Sequence, residues 1–503
     1  MKRRHALNSI LLAAIGAWSP SAQLNTGTKP NILLIVLDDL GTEKLSFYGQ
    51  STSYPPTPRL AELREQGILF THAYANPVCA ATRAMLQTGR YTFRNGMGTN
   101  PGDLLTVNSD EVTIAEVLKA GFSGSPLSYR CGLFGKWHLS TTDREHACAN
   151  GYDVFIGPMA NNANHFYWRK VTDTPSTAAT GVFVGDEKHG PFDTTTYDAS
   201  VVRAAAVDWI TEQTGPFFAC VAFNPPHAPL QVPPLALLSA STQAQVALEG
   251  YEPGAIIPPS APAEPGGPPP FLPDDVDAYN WMIEAVDAEI GRLLDEIPEE
   301  KRKFTMVFIV GDNGTHASVA LPPLAGNHAK STVYEGGTRV PLLVSGMGIR
   351  AVSATCDGLV SAVDLWATIA ALANAQVGTV FPGGDCGDGV LDSLSFRHLL
   401  SDPAAASQRE SALVQLFAPV GCYEPNPFVP AAKSTHNRGM TDGRFRYIRA
   451  WNAIASAYEE EAYDLALDPY ETLDLFPNID SLPPADHAAI LSLQESTIEL
   501  SGN

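Results

Sequence analysis

Four short apolar runs limit what this chain can fold into more than any other feature. Asn31 to Leu37 is apolar throughout after Asn31, Phe217 to Phe223 is unbroken, Phe304 to Val310 is interrupted only by Thr305, and a shorter run lies within Cys131 to Phe134. Alternation would mark a strand with one wet face. Continuous hydrophobicity marks a strand covered on both faces, as in a sheet held between helices. Each run also stops at chemistry-bearing residues. Asp38 and Asp39 follow the first, Lys136 and His138 the one at Cys131, His227 the one at Phe217, and Asp312 with Asn313 the last. Each cluster has an ordinary explanation by itself: a solvated loop start, a snorkelling lysine, a structural histidine, a hairpin turn at Asn313-Gly314. Such features do not gather carboxylates, an amide and cations at the same end of successive strands. In parallel sheets that end is where ligands bind, so the four clusters predict one site.

A fifth stretch, Asn76 to Arg90, reads as a helix start. Pro77 stops regular structure, Ala80 to Gln87 is helical, and Gly89 closes it. Cys79 then stands near a helix N-terminus, where free N–H groups favour an anion. Arg83 shares its helical face. A lone cysteine is more often a buried packing residue, so Cys79 gains meaning only from its company. Further helices are predicted from Pro58 to Gln66, Thr113 to Ala120, Tyr197 to Trp209, Asp275 to Ile297 and Asp364 to Ala373. Tyr251 to Pro273, rich in Pro and Gly, is predicted as a surface loop. Arg444 to Arg449 and Tyr463 to Leu465 alternate like antiparallel strands, with the arginines on a solvated face.

Cys79-Ala80-Ala81-Thr82-Arg83, followed by Met85-Leu86-Gln87-Thr88-Gly89-Arg90, resembles the first signature of the sulfatase family. Gly135-Lys136-Trp137-His138 resembles the second, and Lys330 before Tyr334-Glu335-Gly336-Gly337 is similarly placed. The likeness runs in order from about Asn31 to Leu475. One departure is Ala81, where the usual pattern has proline. The resemblance implies an α/β fold like that of alkaline phosphatase, with a large mixed sheet flanked by helices and a smaller C-terminal α+β domain. It places a catalytic domain at 30–405 and the small domain at 406–503.

The resemblance also implies hydrolysis of sulfate monoesters by formylglycine, made by oxidation of Cys79. Asp38, Asp39, Asp312 and Asn313 would bind one Ca²⁺ together with an oxygen of modified Cys79; all-oxygen ligands suit that ion. Arg83 would hold the nucleophilic hydroxyl, Lys136 and Lys330 the sulfate oxygens. His227 would protonate the leaving alcohol and His138 would take the proton of the second hydroxyl. The implied partners are a sulfated small molecule or carbohydrate and a formylglycine-generating maturation enzyme. A phosphonate or phosphate ester hydrolase shares the pattern, and an unmodified Cys79 would leave an inactive sulfate-binding scaffold.

The formal net charge of -22 argues against general nucleic-acid binding. Met1 to Ala22 reads as an export signal, with Lys2, Arg3 and Arg4 before a short apolar centre, and implies a periplasmic or extracellular protein. No run reaches membrane-spanning length. Seven cysteines leave Cys79 over if six pair. Cys131 with Cys148, and Cys356 with Cys386, would close short loops, although spacing does not fix connectivity.

Overall fold

A computed structural model describes residues 29–100, 107, 111–120, 128–140, 143, 145–161, 164–166, 171–173, 197–257, 273–322, 324, 328–375, 390–418, 435–452 and 454–501. The predicted export signal and most of the predicted loop at 251–273 lie outside these residues. The strands of the first half are β1 (Asn31–Leu37), β2 (Gly67–Phe70), β3 (Ala73–Tyr74), β4 (Arg130–Gly135), β5 (Val154–Gly157), β6 (Val171–Asp173) and β7 (Phe217–Phe223). Then come β8 (Thr305–Gly311), β9 (Leu342–Gly346), β10 (Ala354–Cys356), β11 (Val360–Ser361), β12 (Ala412–Ala418), β13 (Thr435–Thr441), β14 (Phe445–Asn452) and β15 (Ala457–Asp464).

Nine of these form one mixed sheet in the order β10-β2-β9-β8-β1-β7-β4-β5-β6. β1 sits in its middle, parallel to both β7 and β8, and β4 is parallel to β7. The unbroken hydrophobicity of β1 is explained by its two faces. Ile32, Leu34 and Val36 enter a core that includes Ala80, Ala84 and Met85 of the Cys79–Thr88 helix and Trp366 of the Asp364–Leu372 helix. Leu33, Ile35 and Leu37 enter the opposite core, with Leu60, Val202, Met282 and Val286 from helices Pro58–Glu65, Asp198–Glu212 and Pro273–Glu296. Full burial of each such side chain contributes about 1.5–3 kcal/mol, and β1 gains it on both faces.

The antiparallel sheet β12-β13-β14-β15 carries the C-terminal helix Pro484–Ser501. Leu413, Met440, Tyr447 and Ile490 continue the first core without a break. No helix among the described residues is long and apolar enough to cross a membrane.

Most predicted elements are present with shifted ends: the helix expected to stop at Trp209 continues to Glu212. Asn313-Gly314 is not a hairpin, because β8 pairs in parallel with β1 and its antiparallel partner β9 begins only at Leu342. Two expectations need correction. Cys131 is a free, buried thiol with its Sγ towards the Ala115 carbonyl, so no Cys131–Cys148 bridge forms; Cys356 is free as well, and Cys386 lies outside the described residues. The arginines of β14 are not all solvated either. Arg446 is fully buried, paired with Glu335 at 2.6 Å and lying 3.5 Å from Glu471.

Candidate active site

The parallel strands β8, β1, β7 and β4 end on one side of the sheet, and the residues just past them meet there. At Asp39 the backbone turns into the left-handed region (φ 63), which Asp tolerates better than most residues. Its amide donates to Asp312 Oδ1 at 3.2 Å, and the Tyr279 hydroxyl donates to its carbonyl. At the end of β4, Gly135 has φ 95, and a Cβ there would lie 1.9 Å from the Ala222 carbonyl oxygen. Only glycine allows that approach, which delivers Lys136 and His138 over the strand ends.

Cys79 begins the helix Cys79–Thr88, which ends at Gly89 in the left-handed conformation (φ 67). Its side chain is wholly buried, with Sγ 3.2 Å from His138 Nδ1 and 3.4 Å from Asn100 Oδ1. Burial pushes the thiol up, against the pull of Lys136 and Lys330. An unmodified cysteine here is therefore a poor thiolate nucleophile.

One turn on, Arg83 donates from Nε (3.0 Å) and Nη2 (2.7 Å) to Asp312 Oδ2, and from Nη1 to the Lys136 carbonyl at 2.8 Å. Asp38 Oδ2 accepts from Lys136 Nζ at 2.5 Å. Asp39 Oδ1 accepts from Asn313 Nδ2 at 2.8 Å and from Lys330. Lys330 is held by its own amide, which donates to the Thr315 carbonyl at 2.9 Å. The next amide, of Ser331, donates to Pro77 at 2.9 Å, tying this loop to the start of the Cys79 helix. His227 Nε2 lies 3.7 Å from Asp39 Oδ2, while its Nδ1 is 2.6 Å from the Ala228 carbonyl. Because a carbonyl only accepts, Nδ1 carries a hydrogen and Nε2 is the nitrogen turned to the site.

All ten residues singled out in the sequence thus converge. Asp38, Cys79 and Asp312 offer ligand atoms within 4.8 Å of one another. Burial pushes the Asp38 carboxyl up, yet Lys136, His227, Arg83 and Lys330 together hold it below the usual range. Asp312 is pushed up to about 7 by burial and by Asp38, against the pull of Arg83. His227 is pushed down to about 4 by burial, against Asp39 and Asp38, and His138 falls further under burial, Lys136 and Arg83.

Four features escaped the sequence reading. Asn100 touches Cys79, Tyr279 holds Asp39, His165 with Asp198 backs His227, and Arg446 with Glu335 and Glu471 braces the Lys330 segment. Asn100, His165 and Tyr279 carried no local signal, while Arg446 stood in an alternating strand pattern that suggested exposure.

The sulfatase family model matches residues 30–375. The chain belongs to the sulfatase family. N-acetylgalactosamine-6-sulfatase of Rattus norvegicus is 28% identical over 398 residues, covering 74% of this chain and 65% of that protein. Arylsulfatase G of Homo sapiens is 28% identical over 393 residues, covering 72% and 68%. The chain spans just under two thirds of the N-acetylgalactosamine-6-sulfatases it matches, at 65% and 62% for the rat and human proteins. Among solved structures, PsFucS1 sulfatase from Pseudoalteromonas sp. superposes with a TM-score of 0.65 at 18% identity, covering 95% of this chain and 92% of that one. BT4656, in complex with its substrate D-glucosamine-2-N,6-O-disulfate, gives 0.64 at 17%, covering 94% and 98%.

The sulfatase family implies formylglycine at the nucleophile and a metal ion, and the residues here fit a metal. Asp38 Oδ1 and Asn313 Oδ1 are buried oxygens with no hydrogen-bond partner. A buried acceptor left so costs about 1–3 kcal/mol. Three carboxylates crowd around these atoms, and a bound cation would satisfy both needs.

Proposed function

We propose that this sulfatase hydrolyses sulfate monoesters of carbohydrates or small molecules at the strand ends, with the side chain at position 79 as nucleophile. The observation that carries this reading is the placement of Cys79. It starts a helix, 3.2 Å from the ring of His138, inside a cluster of three carboxylates and three cations. Position 79 would carry formylglycine, whose hydrate offers the two hydroxyls that a thiol lacks. Asp38, Asp39, Asp312 and Asn313 would hold Ca²⁺ through hard oxygens, and the ion would supply positive charge that lowers the pKa of a bound hydroxyl.

The remaining roles follow from position. Arg83 is pinned by Asp312 and the Lys136 carbonyl, so it orients the nucleophile rather than the substrate. Lys136 pairs with Asp38 and Lys330 with Asp39, so both ammonium groups stand at the carboxylate cluster, where they can bind the sulfate oxygens. His138 is kept neutral by burial beside Lys136 and Arg83, the state a base needs. His227 presents Nε2 to the site and serves as proton donor to the leaving oxygen; the anionic ester favours its charged form.

Sulfated sugar substrates are supported by the relatives that act on N-acetylgalactosamine 6-sulfate groups by name and by the disulfated glucosamine bound to BT4656. Export to the periplasm or outside the cell is supported by the Met1–Ala22 pattern. Maturation would need a formylglycine-generating enzyme that accepts Ala81.

Mass spectrometry of the peptide ending at Arg83 should show sulfur exchanged for oxygen with loss of two hydrogens. Sulfate esters should be cleaved at least tenfold faster than phosphate esters of the same alcohol. An unmodified thiol in fully active protein, or a preference for phosphate, would overturn the reading.

A further inference from the structure

His227 is unusual in what lies beneath it. Its peptide carbonyl accepts a hydrogen bond from His165 Nε2 at 2.9 Å, and His165 Nδ1 is 2.8 Å from Asp198 Oδ2. His165 is fully buried, and Asp198 is 1% exposed at the start of the Asp198–Glu212 helix. Two further bonds lock the ring's backbone: the His165 amide donates to Gln231 Oε1 at 2.9 Å, and the Asp198 amide donates to the His165 carbonyl at 2.8 Å. Asn224 Nδ2 lies 3.4 Å from His165 Nδ1.

A carboxylate and a peptide carbonyl can only accept. With both ring nitrogens aimed at acceptors, both carry hydrogen, and His165 is an imidazolium sealed in the interior. Burial opposes that charge and Asp198 sustains it. The carbonyl it grips belongs to the residue whose Nε2 faces the site, in a segment that leaves β7 and has no regular structure of its own.

We propose that His165 and Asp198 form a positioning pair that sets the height and orientation of the His227 ring against the leaving oxygen. This rests on the reading of His227 as proton donor. The bond to the carbonyl fixes the backbone from below, while Asp198 keeps the second hydrogen on His165 and so keeps the grip charge-assisted. Without the pair, His227 stays in the site with a donor distance that is no longer set. A loss of about 1 Å in such placement is enough to cost on the order of a hundredfold in rate.

The test compares kcat/KM on an alkyl sulfate, whose poor leaving group needs a proton, with 4-nitrophenyl sulfate, which does not. His165→Ala and Asp198→Asn should each lower the alkyl rate by about tenfold or more and the aryl rate by less than about threefold. His227→Ala should show the same selectivity, and adding His165→Ala to it should cost nothing further. His165→Gln, which keeps one donor, should recover part of the alkyl rate. Equal losses on both esters in the His165 and Asp198 variants, with His227→Ala still selective, overturn the positioning pair alone. Equal losses in His227→Ala overturn the proton-donor role beneath it. Asp198→Asn keeps the shape of the pair, so it decides the matter should His165→Ala fail to fold.

Discussion

Arg83 and Asp312 are both buried, and the guanidinium spends two of its donors on one carboxylate oxygen. Asp312→Asn keeps the shape and one acceptor but removes a charge from the ligand set. Activity should fall by at least about a hundredfold and metal content should drop. Asp312→Ala goes further, because it leaves the buried guanidinium with no carboxylate nearer than Asp38 at 3.6 Å, its remaining hydrogen bond being to the neutral Lys136 carbonyl. Breaking a buried pair in this way costs about 3–5 kcal/mol, which denaturant titration would read directly. At this scale the sequence was highly informative about residues that follow buried strands, since strand ends in a parallel sheet have a known destination. It was silent on Asn100 and His165, whose partners are 21 and 62 residues distant and whose side chains have no pattern around them.

Elements were legible where their hydrophobic period was long, as in the helix Pro273–Glu296, and less so at their ends. The reason shows at the helix Pro58–Glu65, whose first free amides are not capped locally. Arg59 and Leu60 donate instead to Asp287, at 3.0 and 2.7 Å, across 228 and 227 residues. No local motif encodes such a cap. Asp287→Ala should destabilise the protein by about 1–2 kcal/mol, seen as a lower denaturant midpoint, and should loosen hydrogen exchange in that helix first. By contrast, Thr113 and Glu116 cap the Ile114–Ala120 helix reciprocally, at 2.8 Å and 3.3 Å, and that boundary was predicted within one residue.

Across the whole molecule, Arg446 of the small sheet joins the C-terminal part to the segment that carries Lys330. It donates to Glu335 at 2.6 Å, to Thr338 at 3.0 Å and to the Val333 carbonyl, and it pairs with Glu471 at 3.5 Å. Arg446→Met should therefore raise KM for sulfate esters as well as lower stability, although the side chain is far along the chain from every residue named in the mechanism. Glu471 is pushed up to about 8 by burial, against Arg446 and with Glu335 adding to the rise. An acid whose folded pKa is raised contributes most below its unfolded value of about 4.5, and that contribution is lost as pH climbs towards 8. The wild-type melting temperature should accordingly fall across that window, and Glu471→Gln should flatten the slope. A slope unchanged in the variant would mean that the proton sits elsewhere.

The burial of Cys79 has a consequence in time. The residues that close over it come later in the chain: Asn100 and His138, and Asp312 just past β8. β1 itself cannot complete its pairing until Gly311 has been made. At ordinary rates of synthesis, the roughly 230 residues from Cys79 to Gly311 take about ten seconds to a minute. Throughout that interval the thiol stands on an unfinished chain, open to any enzyme that recognises its neighbours as a peptide. Afterwards it is sealed. Nascent chains that end before β8 should react with a thiol reagent at Cys79, and the finished, unmodified protein should not. The long loop closures that make this topology slow to fold would thus set the period in which the proposed conversion of Cys79 could take place.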